Sequence, residues 1–338
     1  MIGVTGGTGF VGHRLVARLA QGSPVRVLAM DMGPAPVIEA EYIVGDVTSP
    51  EVTDKFVRGC TAIIHLAGIA HSSLRTEAEK QNSYKVNVDG TRIVLNAALR
   101  HGVQRFVLVS TAHVYAACSA LDIDESAPVA ASSYYSFTKI EAESLVREAA
   151  ELGMEVVIAR PCLIYGPGVR FNLDRMMRGI DHGYYFHISG RNPMRSFLSV
   201  ENAVRALTHL AGKDVAPGTY NLADTCPYSL VAFSNELADR MKRHRPRTLP
   251  FAALRAASAI GSAFQRLGGH LPVSQEVVAK LTSDFTLNTR RLEQTGFEWD
   301  GNGGALRQQM VDYYLRSKRA KVHQGNQSLN VDSYETLV

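Results

Sequence analysis

Thr5-Gly6-Gly7-Thr8-Gly9-Phe10-Val11-Gly12 directly follows a short apolar run at 2–5 and opens an amphipathic stretch at 12–21. A strand that turns on glycines into a helix presents the first free N–H groups and the positive dipole end of that helix to whatever lies at the turn. A pyrophosphate suits such a seat. Gly6 permits the tight turn, Gly9 lets the backbone approach a phosphate, and Gly12 lets the helix lie close on the sheet, with Phe10 and Val11 completing the loop. The alternative is a glycine turn without a ligand; the strand–turn–helix setting favours the phosphate.

Working outward, apolar runs recur at 25–29, 42–44, 62–66, 106–109 and 156–159, each bounded by Gly, Asp or Pro. Unbroken β-branched runs of this length suit strands buried on both faces of a parallel sheet. Helix-like stretches at 86–100 and 136–152 lie between them. The alternation predicts an α/β fold with a doubly wound parallel sheet. After Tyr165, Gly166-Pro167-Gly168 breaks the pattern; a helix is expected over 172–182 and strands at 195–200 and 219–222. The expected organisation is a dinucleotide-binding domain at 1–165, to which 196–222 returns. A smaller C-terminal α/β substrate lobe takes 166–195 and 223–315, and a loose polar tail takes 316–338. The apolar helical stretch 250–271 reads as core packing or as a wall for an apolar ligand.

Composition narrows the classes. The chain has 338 residues, 46% hydrophobic and 20% charged, which excludes disorder over most of its length and a disulfide scaffold. Its net charge of +4 is uneven: residues 1–165 carry 14 basic and 17 acidic side chains, residues 166–338 carry 22 and 15. That excess falls short of a nucleic-acid-binding domain but fits an anionic small-molecule partner. No run of 18 apolar residues occurs, so no membrane span is expected, and the chain opens on a strand rather than a leader. Cys60, Cys118, Cys162 and Cys226 lack metal or redox spacing and read as packed free thiols in a reducing, cytoplasmic compartment. His182 and His187 have no carboxylate or thiol partner in sequence, so no metal site is expected.

Tyr135-Ser136-Phe137-Thr138-Lys139 sets Tyr135 and Lys139 one helical turn apart on one face, whereas Tyr134 points elsewhere. A phenol has a pKa near 10; a nearby ammonium and a cationic nicotinamide would lower it toward a usable base. The run 106–109 ends in Ser110-Thr111-Ala112-His113-Val114-Tyr115, at the sheet edge where ligands bind in such folds. A hydroxyl there can bond the substrate oxygen that loses its proton. After the second strand, the place of the acid that takes the adenosine ribose falls near Ala29; Asp31, two residues later, could take that role, which favours NAD over NADP. In Gly45-Asp46-Val47, Asp46 either accepts from an adenine amino group or closes a turn.

Gly6/Gly9/Gly12, Asp46, His65-Leu66-Ala67-Gly68, Asn87-Val88-Asp89-Gly90-Thr91, Thr111, Tyr135/Lys139 and Arg160-Pro161 occur in that order. Together they resemble the extended short-chain dehydrogenase/reductase family, in its nucleotide-sugar epimerase/dehydratase branch, over residues 1–315. The resemblance implies a Rossmann fold with a smaller substrate lobe, a homodimer and NAD, with NADP possible. It implies Thr111 as catalytic hydroxyl, Tyr135 as base and Lys139 on the nicotinamide ribose. Leu66, Ala67, Gly68, Val47 and Pro161 would line the cofactor, Asn87 would steady the central helix and the ribose, and His65 would be structural.

In the substrate half, Tyr165-Gly166-Pro167 followed by Asn172, and Arg195-Ser196-Phe197-Leu198-Ser199-Val200-Glu201-Asn202, resemble the branch's nucleotide-sugar segments. Asn172 would contact the diphosphate, or else cap a helix; Arg195 would fork onto the diphosphate, and His113 would face the sugar. Asn202 departs from the branch's usual acid. The 171–179 segment is also similar to bacterial enzymes of UDP-N-acetylhexosamines. The expected function is 4-epimerisation of a UDP-hexose or UDP-N-acetylhexosamine. Alternatives are NAD(P)H-dependent reduction of a UDP-4-keto-6-deoxy sugar, a 3β-hydroxysteroid-type dehydrogenase, and a binding module that senses NAD(P). A 4,6-dehydratase is disfavoured because Ala112-His113 offers no acid.

Overall fold

The computed structural model describes residues 1–70, 76–115, 119–252 and 282–325. The chain divides into two compact units. The first comprises Met1–Ile164, Pro193–Tyr228 and Ser283–Asp300; the second comprises Tyr165–Asn192, Ser229–Thr282 and Gly301–Val338.

The first unit is built on a seven-stranded sheet. Its strands are β1 (Ile2–Thr5), β2 (Val25–Ala29), β3 (Ala40–Val44), β4 (Ala62–His65), β5 (Arg105–Val109), β7 (Glu155–Pro161) and β12 (Gly218–Leu222), with β6 (Ala120–Ile123) lying outside it. The order is β12-β7-β5-β4-β1-β2-β3, every pairing parallel. All four residues of β4 are buried, as two-sided coverage requires. Helix α1 (Gly12–Leu19) and α7 (Val200–Leu210) pack together on one face, around Leu15, Val16, Val204 and Leu207. Helices α2 (Pro50–Val57), α4 (Gly90–Arg100) and α5 (Tyr134–Glu151) cover the other, around Phe56, Val94, Leu95 and Val146. The winding reverses between β1 and β4, so their carboxyl ends open a crevice at the glycine turn.

Several expectations are corrected. The stretch 86–100 is one part of a longer assembly. Helix α3 (Glu77–Tyr84), closed by a Thr76/Glu79 capping box, runs into a π-helical turn at Lys85–Asp89 and then into α4. The strand expected at 195–200 is two, β10 (Met194–Arg195) and β11 (Phe197–Ser199), because Ser196 turns its hydroxyl to Leu287 N and Val200 starts α7 on the Ser199 cap. Residues 283–300 stand in the first unit rather than with the substrate lobe; they carry β15 (Phe285–Leu287), which pairs in parallel with both β10 and β6, and the one-turn α9 (Arg290–Glu293). Cys60 and Cys162 are buried, but Cys226 is exposed rather than packed. Cys118 and most of 250–271 lie outside the described residues.

The second unit packs α6 (Asn172–Asp181), α8 (Leu230–Arg240) and α10 (Gly303–Gly325), with a small parallel pair of β9 (Phe186–Ile188) and β14 (Arg247–Leu249). The tail expected to be loose from 316 instead continues α10 to Gly325. Asp181, its side chain wholly buried, accepts from Arg243 Nε at 2.8 Å, from Tyr314 Oη at 3.1 Å and from Lys318, and so holds the basic end of α10. Short strand β8 (Leu163–Tyr165) and β13 (Tyr228–Ser229) sit at the unit boundaries. No helix among the described residues is long and apolar enough to cross a membrane.

Candidate active site

The glycine turn leaves β1 with Gly6 in the left-handed region, φ 68°, where a Cβ would stand 2.8 Å from Ala67 N. At Gly12 a Cβ would stand 2.2 Å from Gly6 O, so the helix start and the turn touch backbone to backbone. Helix α1 has no side-chain cap at Val11 and no acid in its first turn, whereas α2, α3, α5, α7 and α8 are capped by Ser or Thr. This uncapped, unneutralised amino end fits a dinucleotide pyrophosphate. Phe10 lies under Arg14, whose Nη1 donates to Phe10 O at 2.8 Å. Asp31, exposed after β2, accepts from Gly33 N at 2.8 Å, and Asp46 accepts from Thr48 N at 2.8 Å. Both therefore close local turns, the second reading given for Asp46. Val47 is buried beneath the Asp46 turn.

At the carboxyl end of β4, a buried polar chain has one consistent proton arrangement. Thr91 Oγ1 donates to Asn87 O at 2.6 Å, so it must accept from His65 Nε2 at 3.0 Å. His65 Nδ1 is then the acceptor for the Thr5 hydroxyl at 2.8 Å, and Thr5 Oγ1 in turn accepts from Ala67 N. Burial, with the charge of Lys139, pushes the His65 pKa down to about 3, so it stays neutral and structural. Asn87, in the π-helical turn, clamps the next backbone: its Oδ1 accepts from Ile69 N at 2.7 Å and its Nδ2 donates to Ile69 O at 3.2 Å and to Thr138 Oγ1 at 2.9 Å. Leu66, Ala67 and Gly68 are held between these anchors. A Cβ at Gly68 would stand 3.1 Å from Asn87 Oδ1 and 3.4 Å from Lys139 Nζ.

Helix α5 begins on a Ser133/Ser136 capping box and brings Tyr135 and Lys139 to the end of β5. Lys139 Nζ donates to Val109 O at 2.9 Å, and the Thr111 side chain stands near enough to the Tyr135 phenol to pull its pKa down. Tyr134 packs instead against Phe137, with Lys80 over its ring. Burial pushes Tyr135 up to about 12, against a downward pull from Thr111; burial pushes Lys139 down to about 8, against an upward pull from Glu143. The lowering expected for Tyr135 from a neighbouring ammonium is not found: the downward pull comes from Thr111, desolvation outweighs it, and the phenol is held protonated.

Thr111 also accepts from His113 N at 3.2 Å. His113 is exposed and its ring stacks on Phe285 at 6.4 Å; Phe285 is the register partner of half-buried Arg195. Pro161 ends β7 and is buried. Asn172 belongs to the second unit, where it is the first residue of α6; the cap position is Phe171, at φ 63°, so Asn172 is not itself the cap. No group of three metal-ligating side chains occurs among the described residues.

The sequence reading missed Glu143, four residues beyond Lys139. Its buried carboxylate accepts from Ser110 Oγ at 2.6 Å, from Arg160 Nε at 3.0 Å and Nη2 at 2.6 Å, and from Arg147 Nη2 at 2.7 Å. The four-residue spacing from Tyr135 through Lys139 to Glu143 was the available signal. Phe285 was missed too; nothing local ties it to His113.

The family described as NAD dependent epimerase/dehydratase matches residues 2–223. A 4-hydroxy-2-methyl-3-oxo-4-farnesyl-3,4-dihydroquinoline-1-oxide ketoreductase of Stigmatella aurantiaca is 30% identical over 296 residues, covering 84% of this chain and 87% of that protein. A UDP-glucose 4-epimerase of Vibrio cholerae is 33% identical over 214 residues, covering 60% of this chain and 63% of its own. Among solved structures, UDP-glucose 4-epimerase of Thermotoga maritima with UDP-glucose superposes with a TM-score of 0.72 at 18% identity, over 94% of this chain and 99% of that one. That likeness supports the Rossmann-like fold with smaller C-terminal sheets.

Proposed function

The chain belongs to the NAD-dependent epimerase/dehydratase family, and from that premise we propose that it oxidises and re-reduces C4 of a UDP-hexose or UDP-N-acetylhexosamine, as a 4-epimerase. The observation that carries the redox chemistry is the convergence of Thr111, Tyr135 and Lys139 at the carboxyl end of β5. Bound NAD would supply the hydride acceptor and donor, and its cationic ring would lower the neighbouring phenol. The uncapped amino end of α1, with Gly6, Gly9 and Gly12, would hold the pyrophosphate; Asp31 beside the ribose would favour NAD over its 2′-phosphorylated form. Lys139 would fix the nicotinamide ribose.

The protein's own groups handle the proton. Tyr135 Oη takes it from the C4 hydroxyl during oxidation and returns it during reduction. Thr111 holds the same oxygen in line with Tyr135, and Arg195 forks onto the diphosphate.

A second reading is a ketoreductase. The Stigmatella relative matches over most of both chains, and a phenol resting protonated is the state from which a carbonyl is reduced. Identifying the nucleotide that copurifies separates the two. Retained NAD, with conversion of a UDP-hexose into its C4 epimer, supports the epimerase. A protein that arrives empty and consumes added NADH or NADPH only with a ketone supports the reductase.

A further inference from the structure

Three consecutive residues at the end of β5 each receive one turn of α5. Thr111 meets Tyr135, Val109 O meets Lys139 Nζ, and Ser110 Oγ meets Glu143. The third of these is the deepest. Glu143 is fully buried, and its two oxygens take four hydrogen bonds from β5, β7 and α5 itself. Burial works against its charge, but the bonds from Arg160, Ser110 and Arg147 outweigh it and hold the carboxyl below its usual range. Arg160 is fixed in turn, lying 4.8 Å from the Tyr115 ring, whose hydroxyl donates to Asn221 at 2.7 Å.

We infer that Glu143 is a positioning residue: its buried carboxylate pins the middle of α5 to the carboxyl ends of β5 and β7 and supplies the negative charge that keeps the neighbouring Lys139 an ammonium ion. The inference rests on the reading of Lys139 as the cofactor-ribose donor. The groups that face Lys139 make the assignment specific. On α5 it is Glu143, one turn on; from β4 comes His65, neutral in its fixed tautomer; from β5, the Val109 carbonyl; from the π-helical turn, the Asn87 amide beside Gly68. Glu143 is the carboxylate of this set. Behind it stand the cations Arg147 and Arg160, so deleting the carboxylate exposes Lys139 to burial and to like charge together. Lys139 already sits at about 8, close enough to neutrality for a further fall to discharge it under ordinary conditions.

The test is the titration of Lys139 in the cofactor-free protein, read by competitive acetylation and mass spectrometry. It is set beside the NAD affinity measured by calorimetry from pH 6 to 9. In Glu143→Gln, Lys139 should titrate roughly one pH unit lower than in the wild type. NAD binding should be unchanged at pH 6 and roughly eightfold weaker at pH 8.5, the ratio of charged fractions that such a shift gives. Because Glu143→Gln leaves Arg160 buried without its anion, a cost borne by the fold itself, the double variant Glu143→Gln/Arg160→Gln is the second arm. It removes both charges and should titrate low as well. A wild-type titration of Lys139 in either variant overturns the inference. Recovery of the wild-type pH profile in the double variant, along with its stability, shows a purely structural role and overturns it equally. A normal shift of Lys139 without any effect on NAD binding leaves Glu143's role standing and removes the ribose assignment instead.

Discussion

Lys139 Nζ donates to the carbonyl oxygen of Val109 at 2.9 Å, tying the second turn of α5 to the last residue of β5. The bond fixes where the ammonium stands before any ligand arrives. It also places Tyr135, one turn earlier on the same face, over Thr111, two residues beyond the strand's end. The spacing of a helix and the rise of a strand thus set the distance between acid–base group and hydroxyl, and tertiary packing has only to hold them.

Gly12 carries the first prediction. A Cβ there would meet Gly6 O at 2.2 Å and Gly7 Cα at 2.8 Å, both backbone, so nothing flexible can yield. Gly12→Ala should lose about 1–3 kcal/mol of stability and weaken NAD binding at least tenfold. Thermal unfolding and calorimetric titration measure the two effects, and unchanged NAD affinity would remove the turn from the cofactor site.

His65 makes stability depend on pH. Its folded pKa, about 3, lies below the unfolded value near 6.5. The unfolded chain therefore binds the extra proton between those limits, and stability falls as pH drops below 6.5. By pH 4.5 this one residue should account for about 2–3 kcal/mol. Urea unfolding of His65→Gln should show a correspondingly shallower loss between pH 6.5 and 4.5 than the wild type; parallel curves would mean that His65 is not buried neutral.

Arg195 separates the two substrate readings. If its guanidinium holds a diphosphate, Arg195→Gln should raise KM for the nucleotide sugar about tenfold or more with a smaller change in kcat, as loss of one charge-assisted bond implies. Steady-state kinetics read the split. An unchanged KM would assign the site to an uncharged substrate.

What was legible in the sequence was local. The glycine turn, the buried runs of β1 and β2 and the Tyr135/Lys139 spacing each declare themselves within a few residues. The α10 helix went unread, although Leu306, Met310, Val311 and Tyr314 give it a buried apolar face. Its polar continuation is held by Lys318 on Asp181, a partner 137 residues away. The π-helical turn at Lys85–Asp89 is likewise set by what Asn87 must reach, Ile69 and Thr138, rather than by propensity. Glu143 reads as a helix-surface acid until Arg160 and Ser110 are brought to it from two strands. The raised pKa of Tyr135 was hidden for the same reason: spacing shows the ammonium, but only the fold shows the desolvation.

The most direct measurement is the rate of hydride transfer in Tyr135→Phe, followed at 340 nm in single turnover with whichever nucleotide sugar or ketone the wild type converts fastest. The phenol's hydroxyl is the only group the substitution removes. NAD binding should therefore persist while the rate falls by roughly 100-fold or more, the scale of a lost general acid–base. A Tyr135→Phe protein that transfers hydride as fast as the wild type would contradict the assignment of Tyr135 as the proton carrier, and with it the chemistry proposed for this site.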